Sequence, residues 1–209
     1  MDARSSPAKA TPKSQRTRAR ILDAAMRLFA DVGYHVATNA VIAEQAGLTR
    51  GAMLYHFASR EELVEALVAH LEGLRALLFE QAAAATPPGV DASEHAIDAY
   101  WSLLGEPAFV AFAELEAAAR TDPAVRERLA TAQQSFDHAQ VGRFGALAQA
   151  GADPRFQASR DLGRFLLEGL ARGSMTYDAD ARRERLLSVV KRAVRMLNRK
   201  GDVHDLWQD

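Results

Sequence analysis

The sequence predicts an all-α protein: an N-terminal three-helix module of the helix-turn-helix type joined to a larger C-terminal helical bundle, about nine helices in all. Three observations predict it. Apolar residues recur three and four apart along most of the 209-residue chain, the period of one helix face. Residues that cap helices stand just ahead of those stripes, and glycines or prolines follow them. Almost no stretch alternates with the period of a strand.

Residues 1–13, rich in Ser, Pro, Ala and Lys, are expected to form a disordered basic tail. From Ser14 onward Ile21, Ala25, Leu28, Phe29 and Val32 form one stripe, stopped by Gly33. Thr38 reads as the N-cap of a short helix reaching Ala46, with Ile42, Ala43 and Ala46 inward. Gly47 ends it, and a third helix follows from Arg50 to Phe57. Ser59 and Glu62 have capping-box spacing and open a long helix with Leu63, Leu67, Leu71, Leu74 and Leu78 inward. Thr86-Pro-Pro-Gly89 breaks the chain. Further helices are expected near 91–104, 107–119, from Asp122-Pro123 to Gly151, 159–175 and 180–199, the last striped by Leu186, Val190, Val194 and Leu197. The domain division is therefore 1–13 tail, 14–58 helix-turn-helix, 59–200 C-terminal domain and 201–209 tail.

Composition narrows the function. The chain has no cysteine, which removes disulfides and thiolate metal sites and fits a cytoplasmic location. No secretory leader and no membrane span are read in it. The net charge of −1 conceals an asymmetry: residues 1–60 hold nine Lys/Arg against four Asp/Glu, leaving 17 basic and 23 acidic residues beyond. A basic module that binds a polyanion, attached to a body with another task, accounts for this; a merely solubilising basic arm is the plainer alternative.

The stretch AEQAGLTRGAMLYHF, residues 43–57, supplies the polyanion site. Two short helices joined by a glycine-containing turn place the second helix in the DNA major groove. Ala43 and Ala46 allow close crossing, Gly47 takes the positive φ, Leu48 plugs the turn and Thr49 caps the second helix. Gly51 leaves the first-turn amides open to phosphate. Met53 and Phe57 point inward. Arg50, Ala52, Tyr55 and His56 are left to meet bases and phosphates.

Residues 18–63, RARILDAAMRLFADVGYHVATNAVIAEQAGLTRGAMLYHFASREEL, resemble the N-terminal domain of tetracycline-repressor-like (TetR) transcriptional regulators. They carry that family's I-L-x-A-A-x-x-L-F, G-Y, T, I-A-x-x-A-G, G-x-x-x-x-x-F and S-R/K-E-x-L elements in order. The resemblance implies a homodimer on palindromic operator DNA, with a C-terminal domain that holds a small effector and forms the dimer. One departure stands out: the family's phosphate-contacting tyrosine, three residues after this glycine, is Leu54 here, and Tyr55 follows it. The phosphate role is therefore carried over only to Arg60, Thr49 and the region of Gly51. Tyr55 falls where the family often touches bases, with packing against the bundle as its alternative. The expected DNA-binding set is Thr38, Thr49, Arg50, Gly51, Ala52, Tyr55, His56 and Arg60.

The C-terminal half says less. Phe79, Trp101, Phe109, Phe112, Phe136 and Phe144 are candidates to line a cavity for an unknown apolar or amphipathic effector; filling an ordinary core is the alternative. Glu114 and Glu168 interrupt apolar runs, at a ligand or at a solvated edge. His70, His95 and His138 lack metal-ligand spacing, so no metal is expected. Gly169 and Gly173, four apart, fit a dimer interface made by the last two helices. No phosphate loop, nucleophile elbow or paired carboxylates appear, so neither an enzyme nor a cofactor is expected. The expected function is a ligand-responsive regulator, a repressor released from its operator by a small molecule. The alternative is a ligand-independent architectural or co-regulatory DNA-binding protein.

Overall fold

The computed structural model describes residues 11–84, 87–131, 134, 154–174 and 180–198. Among these residues there are nine helical segments and no strand. They are α1 (Pro12–Val32), α2 (Asn39–Gln45), α3 (Arg50–His56), α4 (Arg60–Ala83), α5 (Ala92–Leu103), α6 (Pro107–Ala119), α7 (123–131), α8 (Pro154–Ser174) and α9 (Asp180–Asn198). The all-α expectation holds. The two tails as far as residue 10 and from residue 199, together with Phe136, His138, Phe144 and Gly151, lie outside the described residues.

Two helix starts differ from the sequence reading, for one reason. α1 begins at Pro12, not Ser14: the Thr11 hydroxyl accepts from the Ser14 amide at 3.3 Å and Pro12 occupies the first turn. α8 begins at Pro154 rather than near 159. In both places proline stands at the first helical position, where its missing N–H costs nothing and its φ is already helical.

The described residues of Met1–Glu72 and Pro107–Ala132 form one compact unit; those of Gly73–Glu106 and Gln133–Asp209 form a second. This division differs from the expected functional one at residue 59, because α6 and α7 group with the N-terminal helices. In the first unit Ile21, Ala25 and Phe29 of α1, Ile42 and Ala43 of α2, Met53 of α3, and Leu63, Leu67 and Leu71 of α4 are buried. Leu74 and Leu78, farther along α4, are only half-buried. Glu114 of α6 reaches α1's end: its Oε2 lies 3.2 Å from where a Cβ on Gly33 would stand. Gly33 itself holds φ at +82°, a value that disfavours any larger residue there.

In the second unit α8 and α9 pack through Leu167, Val190 and Val194, with Gly163 letting the Val194 methyl approach. α5 joins α9 through Lys191–Asp98, at 2.6 Å, and an Arg195–Glu94 ion pair. It joins α8 through the Tyr100 hydroxyl, which donates to Glu168 Oε1 at 2.8 Å. Leu186, expected on the inner stripe of α9, is instead exposed.

Candidate nucleic-acid interface

The turn between α2 and α3 is built by backbone hydrogen bonds that only one conformation allows. The Leu48 amide donates to the Ala43 carbonyl at 2.8 Å and the Gly47 amide to the Glu44 carbonyl at 2.9 Å, with Gly47 at φ +63°. This is a Schellman ending, in which the glycine occupies the left-handed region. Thr49 follows at once as the cap of α3, its hydroxyl accepting from the Ala52 amide at 3.1 Å. Thr38 does the same for α2, accepting from the Val41 amide at 3.4 Å. Two helices of seven residues each, too short to persist alone, are thus started by local caps, and α2 is stopped by its glycine turn.

α3 then divides cleanly. Met53 and the residue that closes the helix, Phe57, are fully buried. Thr49, Arg50, Gly51 and Ala52 face solvent, and Tyr55 is 85% exposed. Its ring stands edge-on to His56, 5.2 Å between centroids. Tyr55 does not pack against the bundle, so that alternative falls. No atom lies within 4 Å of where a Cβ on Gly51 would project, so its amide is open to approach. The exposed surface offers a guanidinium, two hydroxyls, a methyl and an aromatic ring, a set able to address phosphates and base edges.

Arg60 is placed differently from the rest of the expected set. Its guanidinium turns inward, donating to the Ala37 carbonyl at 2.6 Å and the Tyr34 carbonyl at 2.8 Å, with Asn39 Oδ1 at 3.4 Å. It also lies 5.0 Å from the Phe29 ring centre and 4.8 Å from that of Tyr34. Two carbonyls and two rings hold the guanidinium toward the loop. The residue clamps the loop between α1 and α2 to the first turn of α4.

The capping box is present with one change. The Glu62 amide donates to Ser59 Oγ at 3.1 Å, but the Glu62 carboxylate accepts from the Ala58 amide at 2.8 Å, one residue ahead of the cap. Beside it the Glu61 carboxyl is held below its usual pKa, first by its backbone hydrogen bond and then by Ser59. Sequence reasoning missed Arg18, whose guanidinium meets the end of α3. Only its place in a basic run was visible; its partners lie some forty residues away.

Four of the six candidate effector residues are among the described residues. Phe79 and Trp101 belong to the second unit, Phe109 and Phe112 to the first. Phe79 meets the Tyr100 ring edge-on at 5.9 Å. Burial, and after it the Glu168 carboxylate, push the Tyr100 phenol pKa well above its ordinary value, so it remains a donor. Arg75, at 2% exposure, is the only buried charged residue among the described residues. His70 pairs with Asp23 at 3.0 Å. A groove of about 440 Å³ between α4 and α7 contains none of the six aromatics; Glu65, Glu72, Glu127 and Arg128 rim it. No described helix is long and apolar enough to cross a membrane, and no described cluster of His, Cys, Asp or Glu could hold a metal.

Comparison with known proteins agrees with this geometry. Residues 21–67 match the family described as bacterial regulatory proteins, tetR family. The chain is 50% identical over 56 residues to the HTH-type transcriptional regulator TtgR of Pseudomonas putida, a match spanning 27% of each protein. GusR of Salmonella enterica shares the fold with a TM-score of 0.64 at 23% identity, over 90% of this chain and 97% of that one. The multidrug binding protein EbrR, in complex with proflavin, aligns at 27% identity with a TM-score of 0.54 over 85% of this chain and 99% of its own. The likeness to the tetR family of bacterial regulatory proteins is carried by the helix-turn-helix segment, residues 21–67.

Proposed function

We propose that the protein is a ligand-responsive transcriptional repressor that acts in the cytoplasm, binds palindromic operator DNA as a homodimer and is released by a small molecule. The observation that carries the DNA half is the exposed face of α3, with Thr49, Arg50, Gly51, Ala52 and Tyr55 in solvent above buried Met53 and Phe57. Thr38 and His56 flank that face, and Arg60 serves it from behind. Two such faces in a dimer would read major grooves one helical turn apart, about 34–36 Å. The effector half is supported by the likeness to EbrR, a multidrug binding protein whose structure is known in complex with proflavin. An effector that favours a displaced α4 would move the reading helix, and a coupling of about 1–3 kcal/mol suffices for a 5- to 150-fold change in affinity. The deciding experiment is selection of binding sites from random duplexes by the purified chain, followed by release with small molecules. Recovery of a palindrome supports the repressor; a site that no ligand releases supports the architectural alternative.

Two results are expected at the DNA. Tyr55→Ala should change preference at particular base pairs, by about 1–3 kcal/mol where a good direct contact is lost; binding titrations on single-base variants measure it. Equal loss on every sequence would make Tyr55 a phosphate contact. Deleting residues 1–10, which spares the Thr11 cap of α1, should weaken binding chiefly at low salt, as measured by the salt dependence of affinity. An unchanged low-salt affinity would remove the tail from the interface.

A further inference from the structure

The C-terminal end of α3 is where its geometry is least self-determined. A seven-residue helix leaves its last carbonyls without helical partners, and α3 has no glycine ending to satisfy them. Arg18 of α1 occupies that end. Its Nη1 donates to the His56 carbonyl, and the guanidinium carbon lies 4.0 Å from the centre of the Phe57 ring. The same Nη1 stands 3.7 Å from Glu62 Oε1, while the other oxygen of Glu62 accepts from the Ala58 amide. One side chain from α1 thus touches the last turn of α3, the residue that closes it, and the first turn of α4. Its positive charge sits at the negative end of the α3 dipole.

We infer that Arg18 is a positioning residue for DNA recognition, fixing the tilt of α3 by capping its free carbonyl end and tying that end to α4. This rests on the DNA-binding reading above. Arg18 reaches the reading face only through α3, since its polar contacts are with the His56 carbonyl and Glu62. A reading helix free to rock about its Thr49 end keeps its attraction for phosphate. It loses the simultaneous alignment of Arg50, Ala52 and Tyr55 that discriminates between sequences. Positioning and phosphate contact therefore leave different signatures. A lost phosphate contact lowers affinity on every duplex and reduces the salt slope by about one. A lost positioning contact lowers the ratio of specific to non-specific affinity and leaves the slope alone.

The test uses the full chain with Arg18→Met, which retains the apolar stem over Phe57, and Arg18→Lys, which restores the charge and one donor. Affinities are measured across a salt series for the duplex selected by the parent protein and for a scrambled duplex. Arg18→Met is expected to lose at least tenfold in the specific to non-specific ratio at unchanged slope, with Arg18→Lys recovering part of it. Combined with Glu62→Gln, the loss should be less than the sum of the two. A slope reduced by one, or an unchanged ratio, overturns the proposal. Hydrogen exchange of the free protein provides a readout that needs no duplex. The amides of Met53 to Phe57 should exchange at least tenfold faster in Arg18→Met, while those of α1 and mid-α4 keep their rates. Unchanged exchange at α3 overturns the proposal whatever the DNA result, whereas faster exchange in a chain that binds no duplex would overturn the DNA reading alone.

Discussion

Arg60→Ala is expected to destabilise the protein by about 2–4 kcal/mol, with the slope of affinity against salt left unchanged for the folded fraction. Two charge-assisted hydrogen bonds, to the Ala37 and Tyr34 carbonyls, disappear, each contributing about 1.5–3 kcal/mol where the donor is ionised. The contacts over Phe29 and Tyr34 add about 0.5–1 kcal/mol at partly exposed sites. These terms overlap, and water can reach the loop once the side chain is gone, so the sum is an upper bound. Arg60→Lys should fall between: an ammonium reaches one carbonyl but cannot fork to two. Urea unfolding at fixed protein concentration measures the loss, the concentration being held because a dimer's stability depends on it. Were Arg60 on a phosphate in the bound state, the pattern would invert, with stability nearly unchanged and the salt slope lower by about one.

That inversion marks the limit of what the residues say on their own. The start and stop of α2 and the start of α3 were legible because capping and glycine turns are local: Thr38, Gly47 and Thr49 act on atoms within five positions of themselves. The inward pair Met53 and Phe57 was legible because four residues is one turn of helix. Arg60 and Arg18 were not, since charge says nothing of direction. Arg60's carbonyl partners stand 23 and 26 residues back along the chain, and Arg18's stands 38 ahead. A capping motif can be read from a line of text; a clamp closing across a folded chain cannot. The aromatic set was legible only as far as burial. Phe79 and Phe109 are both buried, as their type suggests, and burial alone does not distinguish a cavity wall from an ordinary core. Glu168, read as a ligand contact or a solvated edge, instead holds the Tyr100 hydroxyl.

α9 shows where periodicity itself is ambiguous. Leu186, Val190 and Val194 are spaced by four and read as one inner stripe, yet Val190 and Val194 are buried while Leu186, Val189 and Met196 are exposed. The helix carries apolar residues on two faces, and the pattern alone cannot say which meets the core. α8 repeats this: Gly163 and Leu167 face Val194 and the core, while Leu162, Phe165 and Leu166 lie in solvent. Two adjacent helices with a second, unsatisfied apolar face form a patch of the kind that soluble chains cover with a partner.

The homodimer proposed above is expected to form through α8 and α9 over that patch, so Phe165→Glu should abolish it. Phe165 is 60% exposed in the single chain, and Leu162, Leu166 and Gly169 share its side of α8 at helical spacing. No atom stands within 4 Å of where a Cβ on Gly169 or Gly173 would project, so a partner helix can approach the backbone there. In a two-fold interface every residue counts twice. Burying a Phe side chain contributes about 1.5–3 kcal/mol, so the symmetric pair carries roughly twice that, and two unpaired carboxylates at the dyad cost several kcal/mol more. The dimer constant should therefore fall by at least about a thousandfold, leaving monomer at micromolar concentration in sedimentation velocity. Because Phe165 is exposed and lies outside the α8–α9 core of Leu167, Val190 and Val194, the monomer should keep its helical circular dichroism. Operator affinity should fall with it by at least about a hundredfold, since each half-site then binds without the effective concentration its twin supplies. A variant that remains dimeric would move the interface off these helices, and one that is monomeric yet binds the palindrome as tightly as the parent would separate DNA reading from dimerisation.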